Sequence, residues 1–275
     1  MKKSNFFSVL LLLAVCSGSC IIGSCSKNDI DENAPAGNDR GSIGEYGSTD
    51  GHEWVDLGLP SGTLWATCNV GASGPEEYGD YFAWGETQGR ESGKTHFSWE
   101  SYKFSYNSTN LLTKYCLQRN CGYEGYVDGV KELSSGDDAA TEKWGGSWQT
   151  PSPAQIAELI DGSNIKVIEV VIDHGGNAIE VKRNVKTVKW VTRNGVNGLL
   201  IRNEYTDKEL FLPAAGYCQD SDIVAVGTEG GYWSRSIPTA GYPGSASSLF
   251  FSSRHPVLMN YYYRYFGRTI RPVRK

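Results

Sequence analysis

The 275-residue chain has little of what marks an enzyme or a nucleic-acid-binding protein in its sequence. Its four histidines are dispersed, and none belongs to an HxH or HExxH pair that would bind a metal ion. There is no phosphate-binding P-loop and no Gly-x-Ser-x-Gly turn to present a nucleophilic serine. The formal net charge of −5 argues against a general nucleic-acid partner, which requires a basic surface. The sequence therefore predicts a non-catalytic protein without a metal ion or another cofactor.

Long apolar runs are also missing, apart from one near the N-terminus. Residues 6–15 follow a basic start and have the length of a signal-peptide core, which is too short to span a bilayer. The next motif, Ile22-Gly23-Ser24-Cys25, resembles the lipobox of bacterial lipoproteins and implies cleavage before Cys25 and acylation of that cysteine. Cys20 fits less well, because a serine stands three residues before it where the motif has an apolar residue. Residues 1–24 are thus predicted to be a lipoprotein signal peptide, with an ordinary secretory peptide as the alternative.

Residues 25–52 are predicted to form a flexible linker, because polar residues and glycine dominate there and apolar side chains are scarce. Its first acidic residues, Asp29, Asp31 and Glu32, resemble the export signal of Bacteroides-type lipoproteins, which reach the outer face of the outer membrane. A solvated linker that is acidic for no such reason is the alternative. We expect a lipid-anchored protein of the outer membrane that is exposed at the cell surface.

Residues 53–275 hold nearly all the tryptophans and tyrosines and suffice for one domain with a substantial core. One helix is clearly predicted where Ser152, Pro153 and Gln155 combine an N-cap, a proline at the first helical position and a capping box. A weaker helix is predicted over residues 110–116.

The remaining chain reads as strands and turns. Two β-branched runs, residues 165–172 and 178–188, flank a glycine-containing turn and predict a hairpin. A second hairpin is predicted around Asn194-Gly195. The expected fold class is α+β.

Several blocks of this domain carry a family pattern. In chain order they include Glu53-Trp54-Val55-Asp56-Leu57-Gly58-Leu59-Pro60-Ser61-Gly62, Tyr81-Phe82-Ala83-Trp84-Gly85-Glu86, Trp148-Gln149-Thr150-Pro151, Leu212-Pro213-Ala214-Ala215-Gly216-Tyr217, Gly231-Tyr232-Trp233-Ser234 and Ile270-Arg271-Pro272-Val273. They resemble the Fibrobacter succinogenes major paralogous domain. The resemblance implies a C-type-lectin-like fold with short strands, one or two helices and long Gly/Trp-rich loops, to which residues 166–185 add an inserted β-hairpin. Four tryptophans are expected in its core: Trp65, Trp84, Trp148 and Trp233.

The marks of the active or calcium-binding proteins of that fold are missing. Formylglycine-generating enzymes use a C-terminal cysteine pair, whereas Cys218 is the last cysteine of this chain. The tripeptides Glu-Pro-Asn and Trp-Asn-Asp of calcium-dependent lectins do not occur. Asp137 and Asp138 lie in a Gly-rich polar stretch, which predicts a solvated loop, with a calcium site as the alternative.

Four cysteines belong to the predicted domain. Outside the cytoplasm they are candidates for two disulfides, Cys116–Cys121 across a short loop and Cys68–Cys218 across a long one. Buried free thiols are the alternative for Cys68 and Cys218.

The C-terminal segment interleaves tyrosine with arginine, the residues that most often anchor binding surfaces. In an extended strand the side chains of Tyr261, Tyr263 and Tyr265 share one face, and those of Tyr262, Arg264 and Phe266 share the other. The family resemblance implies that this region faces a ligand. The predicted ligand-binding residues are Ser234, Arg235, Arg254, Tyr261, Tyr262, Tyr263 and Arg264. The alternative is an aromatic strand that only stabilises its sheet.

Together these observations predict a surface-tethered binding module for an extracellular protein or glycan. A structural subunit of a surface or fimbrial assembly is the first alternative, with the hairpin of residues 166–185 as its assembly element. A glycan-active enzyme is the second, and its first candidate carboxylates are Glu53, Asp56, Asp80 and Glu86.

Overall fold

The computed structural model describes residues 45–107, 111–161, 167–172, 175–183, 186–204, 206–239, 241–255 and 257–274. The predicted signal peptide, the predicted acylation site Cys25 and the acidic residues Asp29, Asp31 and Glu32 lie outside the described residues. Within those ranges the chain forms mostly β-strands and two short α-helices. The fold is therefore α+β and rich in sheet, as the sequence predicts.

The elements follow one another as β1 (Tyr46–Thr49), β2 (His52–Asp56), β3 (Leu64–Ala66), α1 (Ala139–Trp144), α2 (Pro153–Ile160), β4 (Val167–Ile172), β5 (Ala178–Arg183), β6 (Lys186–Arg193), β7 (Val196–Asn203), β8 (Lys208–Pro213), β9 (Tyr217–Gln219), β10 (Asp222–Val224), β11 (Glu229–Trp233), β12 (Ser245–Ser252), β13 (Leu258–Tyr263) and β14 (Val273–Arg274). Three sheets have the strand orders β1-β2-β3-β14, β6-β7-β8 and β11-β12-β13, and β4-β5 and β9-β10 are separate hairpins. All neighbouring strands named here are antiparallel.

The first strand of the domain lies inside the segment predicted as linker. β1 pairs with β2 through residues 46–49, so part of the segment predicted as linker forms a strand of this sheet. Asp50 and Gly51 form the two-residue turn, with positive φ angles of 52° and 80°. Only glycine fits at position 47, because a Cβ there would overlap the Trp54 indole. β1 is polar and contains glycine, which is the composition of a linker. Its sequence therefore gave no sign of a strand.

The clearest local predictions are confirmed. α2 begins with the full capping box, in which the Gln155 amide donates to Ser152 Oγ and the Ser152 amide donates to Gln155 Oε1. The Asn194-Gly195 turn joins β6 to β7 with φ angles of 50° and 82°. The hairpin predicted from the two β-branched runs is present as β4 paired with β5.

The weaker predicted helix is wrong for residues 111–116, which form an irregular segment. The Asp128 carboxylate accepts hydrogen bonds from the amides of Tyr115 and Cys116 at 2.6 and 2.9 Å, and Tyr115 has a positive φ of 56°. These contacts fix the backbone away from helical geometry. The helix that the sequence did not reveal is α1, whose N-cap is Asp138.

Two buried clusters form the core. One is mainly aromatic and contains Trp84, Trp148 and Trp233. The other is mainly aliphatic, joins α2 to β7, β8 and β12, and contains Trp65. All four tryptophans are at most 1% exposed, so the prediction that they are buried is confirmed.

Asp137 and Asp138 are both buried, which corrects the prediction of a solvated loop. Burial alone would raise the pKa of Asp137. Hydrogen bonds from Lys114, Lys103 and Tyr115 outweigh that effect and lower its pKa to about 2. Burial raises the pKa of Asp138, and it outweighs the hydrogen bonds from Thr150 and Ala140, which lower the pKa. The two carboxylates therefore hold loops and α1 in place.

Replacing Asp137 with asparagine is expected to destabilise the fold in a pH-dependent way. Because the folded-state pKa lies below the ordinary value of 3.8, the carboxylate stabilises the protein above that pH. Its contribution is lost as the pH falls towards about 2. We expect a loss of about 1–2 kcal/mol at pH 7, discounted because the two lysines are partly solvated. The loss is measured by urea unfolding of Asp137→Asn and wild type between pH 7 and pH 2, with Asp222→Asn, at an exposed position, as control. If the difference in unfolding free energy between Asp137→Asn and wild type stays constant across this range, the low pKa assigned to Asp137 is contradicted.

Candidate ligand-binding surface

The candidate surface lies at the end of the β11-β12-β13 sheet. β12 is the central strand, and β13 pairs with it in a register that sets Tyr261 opposite Ser247 and Tyr263 opposite Ser245. β12 is largely buried, whereas β13 carries exposed side chains. This end of β13 is therefore the part of the sheet that meets solvent.

Side chains alternate along β13 as the sequence predicts. Tyr261 and Tyr263 are 46% and 49% exposed, whereas Tyr262 points the other way and is half-buried. The Tyr262 ring packs on the Arg268 guanidinium at 3.5 Å from the ring centroid. Tyr262 thus supports the strand from its inner face, and its role as a ligand contact stays a prediction.

Two further tyrosines extend the exposed pair into a tyrosine row, defined as Tyr242, Tyr261, Tyr263 and Tyr265. The rings of Tyr242 and Tyr261 are 5.3 Å apart, and those of Tyr263 and Tyr265 are stacked at 5.7 Å with an interplanar angle of 14°. Trp99 contacts Tyr263 and Tyr265 edge-on. Tyr242 is 56% exposed and lies in a Gly- and Pro-containing loop. Nothing in its local sequence marks it as a neighbour of β13.

Arg264 lies beneath this row rather than on it. Its guanidinium donates to the carbonyl oxygens of Tyr115, Pro243 and Ser245 at 3.0, 2.7 and 3.1 Å, and it also packs on the Trp84 ring. Arg264 is 1% exposed, so the prediction that it contacts a ligand is wrong. The physical reason is that β13 ends at Tyr263, after which the chain turns inward.

Two more arginines follow with the same kind of surroundings. Arg271 donates to Asn69 Oδ1 and to the carbonyl oxygens of Ala66, Thr67 and Phe211. Arg268 is held between the rings of Tyr262 and Trp233. In the described part of the chain none of the three arginines forms an ion pair with a carboxylate. Burial lowers the pKa of each guanidinium, which nevertheless stays charged at neutral pH.

The other predicted ligand contacts are dispersed. Ser234 is fully buried, and its carbonyl oxygen accepts a hydrogen bond from Trp84 Nε1 at 2.8 Å, so its prediction is wrong. Arg254 is exposed but lies in the turn between β12 and β13, at the opposite end of that hairpin from Tyr261. Arg235 pairs with Glu132 at 3.2 Å and lines a separate cleft beside α2. The structure therefore brings together only Tyr261 and Tyr263 from the predicted set.

All four cysteines of the domain are free thiols in the structure, so neither candidate disulfide is formed, and Cys68 and Cys218 follow the alternative of free thiols. Cys116 and Cys121 share a small buried cluster, but the Cys116 thiol donates to the Gln118 carbonyl at 3.1 Å and the Cys121 thiol to Asn120 Oδ1 at 3.5 Å. Cys218 is buried against Gly267, while Cys68 is half-buried beside Thr67. Burial raises the pKa of Cys218 to about 12.

Three of the four carboxylates named for an enzyme have local structural partners, and the fourth, Glu53, is exposed on β2. Asp56 accepts from the Gly58 amide, Asp80 from the amides of Tyr81 and Glu91, and Glu86 pairs with Lys94 at 2.8 Å. Among the described residues no three His, Cys, Asp or Glu side chains are grouped to hold a metal ion. Within the same ranges, no helix is long and apolar enough to cross a membrane.

Comparison with known proteins finds no family model, no curated protein and no solved structure that matches the chain. Its function is therefore inferred from the geometry of its surface.

Replacing Arg264 with methionine is expected to unfold or strongly destabilise the domain instead of weakening a binding contact. The change leaves three carbonyl oxygens without their donor, and we expect a loss of about 3 kcal/mol or more. The matched control, Arg254→Met, removes an exposed guanidinium and should change stability by less than about 0.5 kcal/mol. Equal urea-unfolding midpoints for the two variants would show that Arg264 is not a structural residue.

Proposed function

We propose that the protein is a non-catalytic, lipid-anchored binding module of the cell surface, which holds an extracellular glycan or protein on its tyrosine row. The observation that carries the proposal is the set of large exposed rings on one short stretch of surface. Tyr242, Tyr261 and Tyr263 are each about half exposed and contact other rings of the row or Trp99. Clustered exposed aromatic side chains mark interaction surfaces more often than isolated ones do.

Tyrosine suits this role because its ring offers a large rigid contact area and its hydroxyl forms hydrogen bonds at low entropic cost. The row also has a fixed base. Arg264 ties the backbone at Pro243 and Ser245 to Tyr115, and the Arg268–Tyr262 contact holds the inner face of β13. A surface that is already rigid loses little conformational entropy when it binds.

The charges near the row favour a ligand that is not a polyanion. Burial, the neighbouring Tyr263 and the carboxylates of Asp220 and Glu100 raise the pKa of Tyr265. These acidic groups oppose the approach of a phosphate backbone. We therefore propose that the row binds a neutral glycan or a protein and does not bind nucleic acid.

We also propose that the domain belongs to the Fibrobacter succinogenes major paralogous family and has a C-type-lectin-like fold. The ordered sequence blocks support this. So does the sheet β1-β2-β3-β14, in which the first and last described strands of the domain lie together.

The anchor proposal is carried by the lipobox-like residues that end at Cys25. Cys25→Ser is expected to abolish incorporation of radiolabelled palmitate in bacterial cells and to release the protein from the membrane fraction, because the acyl chains supply the membrane affinity. Cys20→Ser is the matched control and should leave both readouts unchanged. Label that persists in Cys25→Ser and disappears in Cys20→Ser would move the anchor to Cys20.

The tyrosine row is tested by screening the full-length protein in detergent against a glycan array and a panel of extracellular proteins. We expect a hit that Tyr261→Ser and Tyr263→Ser each weaken at least tenfold, because truncated anchor residues typically cost more than 1 kcal/mol. Tyr126→Ser is the control, since Tyr126 is comparably exposed (42%) and lies outside the row. The free energy of unfolding of each variant should stay within about 0.5 kcal/mol of the wild-type value.

A hit that both row variants retain would place the site elsewhere. A blank on both panels would favour the second candidate, a structural subunit of a surface assembly, for which the separate hairpin β4-β5 is the element available for assembly. Addition of a strand to β13 is less favoured, because the Tyr261 amide already donates to Asn260 Oδ1 at 2.8 Å.

A further inference from the structure

A polar cleft of 370 Å³ lies beside the start of α2, and it shares no residue with the tyrosine row. Its walls are formed by Ser61, Gln149, Ser152, Ala154, Gln155, Glu158 and Arg235. This volume falls in the range of small-molecule sites, but the lining differs from theirs in having no aromatic or large aliphatic side chain. Any ligand must therefore be recognised by hydrogen bonds and not by apolar burial.

We propose that this cleft is a second binding site, which takes one or two units of a neutral saccharide. The lining offers hydroxyl, amide, carboxylate and guanidinium groups together. A sugar hydroxyl both donates and accepts, so a ring that bears several hydroxyls matches such a mixed lining. Saccharide binding here does not depend on the tyrosine row.

Part of the hydrogen-bonding capacity of the cleft is unused within the described residues. Arg235 Nη1 donates to Gln149 Oε1, whereas the Gln149 side-chain amide nitrogen makes no hydrogen bond there. Arg235 Nε is buried and likewise has no partner among the described residues. Both Glu158 oxygens accept from Ser61, one from its amide and one from its hydroxyl, and each retains further acceptor capacity. The cleft is thus fixed in shape but not saturated.

The charges of the cleft select against acidic ligands. Arg235 is its one cation, and Glu132 at 3.2 Å already neutralises it. Lys186 donates to the Glu158 backbone carbonyl from behind the cleft, but it is buried and does not line the cleft. Among the lining side chains the Glu158 carboxylate therefore leaves a surplus of negative charge. A carboxylated or sulfated sugar would meet this charge unpaired, whereas a neutral hexose or N-acetylhexosamine would not.

The test is ligand-observed saturation-transfer NMR on the full-length protein in lauryldimethylamine oxide, a detergent without a sugar headgroup. The probes are the methyl glycosides of glucose, galactose, mannose and N-acetylglucosamine, with glucuronate as the acidic counterpart. We expect millimolar binding of at least one neutral probe and weaker binding of glucuronate. Arg235→Met should weaken the neutral probe about tenfold and Glu158→Gln about fivefold, because each change removes hydrogen bonds to a charged group.

Tyr261→Ser combined with Tyr263→Ser separates this proposal from the proposed function. The double variant should bind the neutral probe as the wild type does, even where it loses the partner found in the screen. Circular dichroism confirms that each variant is folded, and Glu158→Gln, which keeps the shape of the side chain, replaces Arg235→Met if that protein does not fold. The proposal is overturned if no neutral probe receives saturation, if both cleft variants bind it like the wild type, or if glucuronate binds more tightly.

Discussion

The structure depends on how three buried, charged guanidinium groups are stabilised away from water. Arg264, Arg268 and Arg271 lie within eight residues near the C-terminus and are at most 2% exposed. Removing a cation from water costs several kcal/mol unless hydrogen bonds and charge compensate for it. Here the compensation comes from backbone carbonyl oxygens for Arg264 and Arg271 and from aromatic rings for Arg268. The final segment of the chain thereby links parts that are far apart in sequence, from residues 66–69 to residue 245.

The hydrogen bonds of Arg264 explain how the exposed tyrosines are held in fixed positions. Loops are usually the mobile parts of a domain. The loop that carries Tyr242 is instead held at Pro243 and Ser245 by hydrogen bonds from the buried Arg264 guanidinium. The same arginine reaches Tyr115, on the segment that packs against the aromatic core. The contacts of Arg264 therefore connect the buried aromatic core directly to the exposed tyrosine row.

Local signals in the sequence predicted local structure well and long-range placement poorly. The capping box at Ser152, the Asn194-Gly195 turn and the alternation at Tyr261–Tyr263 are each decided within a few residues, so they could be predicted. Burial of Arg264 could not, because arginine is mostly exposed and its partners lie up to 149 residues away. Tyr242 and the cleft residues Gln149 and Glu158 join their sites only through tertiary contacts. The polar strand β1 could not be predicted, because its place in the sheet depends on pairing with β2 and not on a pattern in its own side chains.

The carbonyl partners of Arg264 have a consequence for how this surface can change over evolutionary time. A carbonyl oxygen belongs to the backbone, so almost any residue can supply it. A substitution at position 243, whose side chain is partly exposed, can therefore alter the surface beside the row while the arginine keeps its hydrogen bond to that carbonyl oxygen. The side chains of Tyr115 and Ser245 are buried, and they stay fixed by packing. A surface anchored in this way is free to acquire new recognition properties with little loss of stability. An anchor made from carboxylate side chains would not allow this, because each substitution would remove a partner.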